Sequence, residues 1–279
     1  MVITKASGSV LIPYVQAMLE KGRVEVPFPD IVRPLILPAV VALKRLIAEP
    51  AEYRDLWEFQ GLYKKRDDGK PDSGLFRREA VNDDNKWVFH YGVLLESALR
   101  ERGVQIGPYY LFLSSCEEIL RRCRNFKISF FAALDEVLPG YHFYQRAIQP
   151  AADWADVLRL VVYDPASAGD IIATPHTDMS CVTLHLWDSW GILRVGPERT
   201  GYITAPGKAL AFPGRKMQLL TGGREIPATK GKEIDGGMLI ALEHDVMETR
   251  NYLSGEEQRA AAIYFGNIDM DAKSSLFLC

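Results

Sequence analysis

Residues 176–195 read HTDMSCVTLHLWDSWGILRV. Branched and aromatic residues crowd two short runs, Ser180–Trp187 and Ile192–Val195, and Asp188-Ser189-Trp190-Gly191 separates them, which is the pattern of two strands and a turn. Similar runs at Val157–Tyr163, Ala209–Phe212, Met238–Leu242 and Arg259–Phe265, divided by Gly, Pro and Asp, extend the pattern from Trp154 onward. Short strands with no alternating helices predict an antiparallel sandwich or barrel rather than a doubly wound sheet.

His176 and Asp178, two residues apart, would point to one side of an extended strand. One imidazole and one carboxylate there, joined by a second imidazole from elsewhere, make a facial triad that leaves positions open on Fe(II). A three-residue pattern also arises by chance, and a strand histidine often serves only the core, so the surrounding text must decide.

Upstream, up to about residue 150, the periodicity is mainly helical. Pro34 and Pro38 lead into Ala39–Ala48, where Val40, Leu43 and Ile47 share a stripe, and beyond Pro50 a helix resumes over Ala51–Phe59. Residues 61–74 combine turn formers and charges without period and read as a loop. A helix is expected from Val88 to Arg102, stopped by Gly103, and a longer one from the capping box at Ser114-Ser115-Cys116-Glu117 to Pro139-Gly140. Cys116 and Cys123, seven apart, should share its buried face.

Composition narrows the functional classes. With 279 residues, 48% hydrophobic and 25% charged, the chain is an ordinary globular protein with enough length for a large core. Lys and Arg number 33 against 36 Asp and Glu, and no basic block interrupts them, so nucleic acid is not an expected partner. No apolar run reaches the roughly 18 residues of a membrane span, and Pro13 and Gln16 interrupt the only candidate for a leader. The four cysteines lie too far apart for a disulfide framework, which makes a reducing cytoplasm the expected location.

The segments Leu158-Arg-Leu-Val-Val-Tyr163-Asp-Pro165, His176-Thr-Asp178 with Thr183-Leu184, Gly191-Ile-Leu-Arg-Val195, Gln218-Leu-Leu-Thr221-Gly-Gly223 and Arg259-Ala-Ala261 occur in this order. Over about 158–266 the series resembles the isopenicillin N synthase-like branch of the iron(II)/2-oxoglutarate-dependent dioxygenases, with a fainter match at Asp83–Phe89. The resemblance implies an α+β fold in a single domain, 1–279. A double-stranded β-helix (jelly-roll) catalytic core at 151–270 would be braced by a mainly helical part at 1–150 and by central helices.

By the same resemblance, His176, Asp178 and His244 are the metal ligands. His185 competes with His244 for the distal place, but the match sets it at a family leucine and leaves it to touch substrate or to serve the core. Arg259 would pair with the distal carboxylate of 2-oxoglutarate, a task suited to a planar guanidinium, and Tyr163 would lie near the co-substrate. Ala261 stands where the family has a serine, which removes one hydroxyl donor from that carboxylate. Between Thr221 and His244 the chain is longer than the family pattern, and Gly214-Arg215 replaces its Gly-Asp. Fe(II), 2-oxoglutarate and O2 are thus the implied cofactors. The implied activity is oxidation, most simply hydroxylation, of a C–H bond of a small molecule such as an amino-acid derivative or natural-product intermediate, with release of succinate and CO2; Asp178 disfavours halogenation. Two other readings stand beside it: an iron oxidase on the same scaffold that dispenses with 2-oxoglutarate, and a jelly roll that binds metal or ligand without catalysis. The sequence assigns no oligomeric state. Substrate choice is expected from the N-terminal helices, residues 61–85 and the loop 222–243.

Overall fold

The computed structural model describes residues 10–28, 32–62, 72–78, 86–150, 152, 155–166, 169–190, 192–228, 231–249 and 258–268. It is an α+β fold built on two antiparallel sheets. The larger sheet orders its strands β1 (Val24–Pro27), β10 (Lys208–Pro213), β7 (Val182–Asp188), β14 (Ala260–Gly266), β5 (Val157–Tyr163), β4 (Lys86–Tyr91), β3 (Ser73–Arg78) and β2 (Glu58–Phe59). The smaller orders β6 (Ile171–His176), β13 (His244–Met247), β8 (Ile192–Val195) and β9 (Thr200–Tyr202), and β11 (Arg224–Ala228) with β12 (Gly231–Asp235) makes a separate hairpin.

The central strands of the larger sheet are buried on both faces, and their sequences say why. In β5, Leu158, Leu160 and Val162 join the core under the helices, while Val161 and Tyr163 join a second cluster with Ile172, Leu193, Leu210, Phe212 and Val246, contributed by both sheets. In β14, Ala260, Ala262 and Tyr264 face the helices and Ala261 faces the smaller sheet. Strict alternation with apolar residues on both faces is what a strand sandwiched between two layers requires.

Helices α1 (Ile12–Lys21), α2 (Arg33–Ala48), α3 (Ala51–Arg54), α4 (Leu95–Glu101), α5 (Tyr110–Val137) and α6 (Phe143–Ala147) belong to the first 150 residues; α7 (Arg215–Leu220) follows β10. The 28-residue α5 lays Cys116, Cys123, Phe130, Phe131 and Leu134 against the outer face of the larger sheet. None of the described helices is long and apolar enough to cross a membrane.

Several local expectations are corrected. The helix read from Val88 begins only at Leu95, because Lys86–Tyr91 is strand β4: Phe89 and Tyr91 alternate with Val88 and His90 at period two, and the pairing to β5 runs residue for residue. The N-terminal part therefore adds four strands to the larger sheet. The helix expected over Ala51–Phe59 is one short turn, followed by a 3-10 turn and β2. The long helix starts at Tyr110, so Ser115 lies inside it and its hydroxyl donates to Leu111 O at 2.8 Å rather than capping. Met238–Leu242 is not a strand; its backbone amides are taken up by Thr221 O and Oγ1, Gln218 Oε1 and Pro213 O instead of a ladder. The stretch read as a loop at 222–243 contains the β11–β12 hairpin. Most of the loop at 61–74, together with Gly191 and Cys279, lies outside the described residues.

Candidate metal centre and its cavity

Three of the predicted ligands converge. His176, Asp178 and His244 each offer one ligand atom, and these atoms lie within 4.8 Å of one another. The two histidines sit at paired positions of neighbouring strands, His176 closing β6 and His244 opening β13, with ring centroids 4.4 Å apart. Asp178 is not on the strand that carries His176, as the two-residue spacing had suggested. It follows in the turn, and the turn swings its carboxylate back toward both rings, 3.9 Å from His176 Nε2 and 3.6 Å from His244 Nε2.

Hydrogen bonds outside the triad set the chemistry of each ligand. His176 Nδ1 donates to Thr174 O at 2.7 Å and His244 Nδ1 donates to Leu242 O at 3.0 Å. A carbonyl can only accept, so both protons reside on Nδ1 and both Nε2 lone pairs face the cluster. Ser180 and Thr183 are 2.9 Å apart through their hydroxyls, and Thr183 Oγ1 donates to Asp178 Oδ2 at 2.8 Å. The Asp178 backbone is pinned as well. Its carbonyl accepts from Arg215 N at 2.8 Å, and Gly214 passes so close that a Cβ there would stand 2.8 Å from that oxygen and 2.3 Å from Ser180 O.

Burial, reinforced by the nearby His244 ring, lowers the His176 pKa to about 4, although the edge of the imidazole reaches the open groove; the Asp178 carboxylate opposes the shift. The His176 imidazole is thus presented in the form a divalent cation binds, facing the Asp178 side chain and His244 Nε2. His185 is not part of this cluster. It lies on β7 against Asp188, which also pairs with Arg259.

The cavity beside the triad is lined by Tyr163 and His185, and also by Lys86, Arg159 and Phe212, which the sequence reading had not assigned. A groove of about 590 Å³ leads into it past His176 and Asp178. Arg259 and Ala261 are not on the cavity wall. Arg259 is buried behind Tyr163, its guanidinium carbon 4.6 Å from that ring, with Nε donating to Trp190 O and Nη2 to Asp188. Its Nη1 is buried without a hydrogen-bond partner among the described residues. A buried, unsatisfied guanidinium donor is a place for one more anionic oxygen. Ala261 packs in the apolar cluster between the sheets and offers no donor.

The residues missed carried weak signals. Arg159 occupies an inward position of β5 between Val157 and Val161, where the strand pattern calls for an apolar side chain. Asp188 was visible as a turn residue and as the start of the Asp188–Val195 segment that carries the resemblance, but without a role.

No family model matches the chain, and no curated protein matches it in sequence. Solved structures do match in fold. A Neurospora crassa protein in complex with alpha-KG and 5-formyluracil aligns with a TM-score of 0.67 at 16% identity, over 94% of this chain and 80% of that one. A 2OG-Fe(II) oxygenase family protein from Caulobacter crescentus aligns at 0.65 and 18% identity, over 93% and 83%. The dioxygenase for auxin oxidation from Arabidopsis thaliana, bound to 2-oxoglutarate, aligns at 0.65 and 13% identity, over 95% and 90%. The chain has the fold of the 2-oxoglutarate and iron(II) oxygenases.

Proposed function

We propose that this protein is an iron(II)- and 2-oxoglutarate-dependent oxygenase that oxidises, in the simplest case hydroxylates, a C–H bond of a small molecule. The observation that carries the reading is the converged triad, with both Nε2 lone pairs and the Asp178 carboxylate turned toward one point beside a cavity. The fold shared with structures that hold 2-oxoglutarate supports it, as does the order of motifs shared with the isopenicillin N synthase-like branch. In this reading the two sheets form a double-stranded β-helix over 151–270, braced by the helices of 1–150 in one domain. Three buried free thiols, Cys116, Cys123 and Cys181, suit a reducing cytoplasm.

Each side chain then has a task. His176, Asp178 and His244 hold the metal, and Thr183 and the two backbone carbonyls keep them aimed. When bound, iron(II) with 2-oxoglutarate and O2 supplies the oxidising chemistry, releasing succinate and CO2. Arg259, buried with Nη1 unpaired among the described residues, is the donor for the distal carboxylate of the co-substrate, with Tyr163 standing between it and the cavity; the alanine at 261 adds nothing. Phe212, packed 5.0 Å from the His244 ring, keeps that side of the centre dry.

One observation favours a second reading. Asp188 already neutralises Arg259, which suits an iron oxidase that needs no 2-oxo acid. Anaerobic titration with Fe(II) and then 2-oxoglutarate separates the two. A visible charge-transfer band, followed on oxygenation by succinate, supports the oxygenase. Iron binding with neither band nor succinate supports the oxidase, and no iron binding overturns both.

A further inference from the structure

The inner face of the larger sheet is an unusual place for cations, yet Arg159 and Lys86 both stand there and both line the metal cavity and its entrance groove. Arg159 is held from several sides. On β5 it pairs across to His90 of β4 and to Ile263 of β14. Its Nε donates to His90 Nε2 at 2.7 Å, and its guanidinium carbon lies 4.4 Å over the Phe265 ring. An imidazole nitrogen that accepts from a guanidinium carries no proton, so the His90 proton is on Nδ1, which donates to Asp72 O at 2.8 Å. The His90 ring is itself set edge-on to Phe76 at 5.0 Å. A guanidinium held over an aromatic ring and tied through Nε to a neutral imidazole is preorganised for bidentate recognition of a planar anion.

The charge around it points the same way. Arg78, Lys86, Arg159 and Lys216 line the groove against Asp72 and Asp178, and Asp178 belongs to the metal triad. Deeper in, the wall is apolar, with Ala173, Leu193, Phe212, Val246 and Ile263. We infer that the oxidised substrate is a small organic carboxylate whose carboxylate docks on Arg159, with Lys86 reinforcing the positive field, and whose hydrocarbon part extends over the apolar wall toward the metal ligands. Arg159 is thus a specificity-determining residue, distinct from Arg259, which sits behind Tyr163 and takes the co-substrate in the reading above.

The inference rests on that reading for the chemistry at carbon but not for the binding of the anion, and the test keeps the two apart. Calorimetric titration of the metal-free and the anaerobic Fe(II)-loaded protein would use benzoate, phenylacetate and hexanoate, each beside its neutral amide, with phenyl phosphate as a further arm. At least one acid is expected to bind and its amide to bind about tenfold or more weakly, the scale of a lost charge-assisted pair. Arg159→Gln should abolish the preference for acid over amide, and Arg159→Lys should restore only part of it. In both variants 2-oxoglutarate affinity, measured separately on the Fe(II)-loaded protein, should stay within about twofold of the parent, and the melting temperature reports whether they fold. Acids that bind no better than their amides would overturn the proposal, as would phenyl phosphate outcompeting every carboxylate. An Arg159→Gln variant that loses 2-oxoglutarate instead would reassign Arg159 to the co-substrate. Failure of iron or 2-oxoglutarate to bind while the acid preference persists would remove the oxygenase reading and leave the anion site standing.

Discussion

The two imidazoles of the triad are fixed through the nitrogens that do not face the cluster, so their lone pairs are committed before any metal arrives. At His176 no proton has to be displaced by a metal, since burial lowers its pKa to about 4 and the ring is neutral at ordinary pH. Replacing His176 or Asp178 by Ala should therefore abolish Fe(II) binding while leaving the circular dichroism spectrum and the unfolding midpoint close to the parent; a variant that still takes up iron stoichiometrically would disprove the assignment. Thr183 acts one step further out. Its hydroxyl is the donor that orients Asp178 Oδ2, and Thr183→Val keeps the shape while deleting the donor. Loss of such an outer hydrogen bond typically weakens metal affinity by about 10–100-fold, and competition with a chelator of known affinity measures it. At this scale the sequence was most legible where chemistry is scarce. The chain has five histidines, and His176-Thr177-Asp178 stood out among them. Arg159 did not, because a single cation in a strand of branched residues looks like any solvated edge until the register shows which face it is on.

The hairpin β11–β12 and the segment after it show how an element without a ladder of its own is placed. Gln218, on α7, donates through Nε2 to Ile234 O at 3.0 Å and Gly236 O at 2.8 Å, and accepts through Oε1 from Ala241 N at 3.0 Å. It thereby ties the hairpin exit to the approach to His244. Gly237, at φ +97°, passes so near that a Cβ would lie 2.7 Å from Gln218 O. Gln218→Ala should cost about 1–3 kcal/mol in urea unfolding, the range for stranding buried backbone partners, and should weaken metal binding through His244 as well. Unchanged stability would mean that the hairpin is held elsewhere. The sequence reading failed in this region for a physical reason: Met238–Leu242 carries a strand's composition, but its amides are satisfied by a helix side chain and by turns. Residues 88–102 failed for the converse reason, since β4 and α4 abut and their apolar residues merge into one apparent stripe. Strands flanked by polar turns, such as β5 and β8, were read to the residue.

The whole molecule depends on how α5 is locked to the larger sheet, and that lock is ionic as well as apolar. Lys127 Nζ, fully buried at the middle of α5, donates to Asp156 Oδ2 at 2.7 Å and to Asn267 O at 3.1 Å, while Asp156 Oδ1 accepts from Asn267 N at 2.7 Å. One pair thus joins the helix to the residue before β5 and the residue after β14, the two strands that run under the cavity. Removing one partner of a buried pair leaves the other charge stranded, typically at a cost of about 3–5 kcal/mol, here moderated by Arg124, 3.3 Å from the same carboxylate. Lys127→Met should fall toward the lower end of that range in urea unfolding. The sign of its pH dependence follows from Asp156. Burial raises this carboxyl above its ordinary pKa, against the pull of Lys127, and without the ammonium it rises further. An acid whose folded pKa exceeds its unfolded value supports the fold while protonated and loses that support as pH climbs through the folded pKa. The deficit of Lys127→Met relative to the parent should accordingly be smaller at pH 5 than at pH 8. An equal deficit at both would place the loss in packing around the lysine stem rather than in the stranded carboxylate, and would make α5 an apolar brace alone.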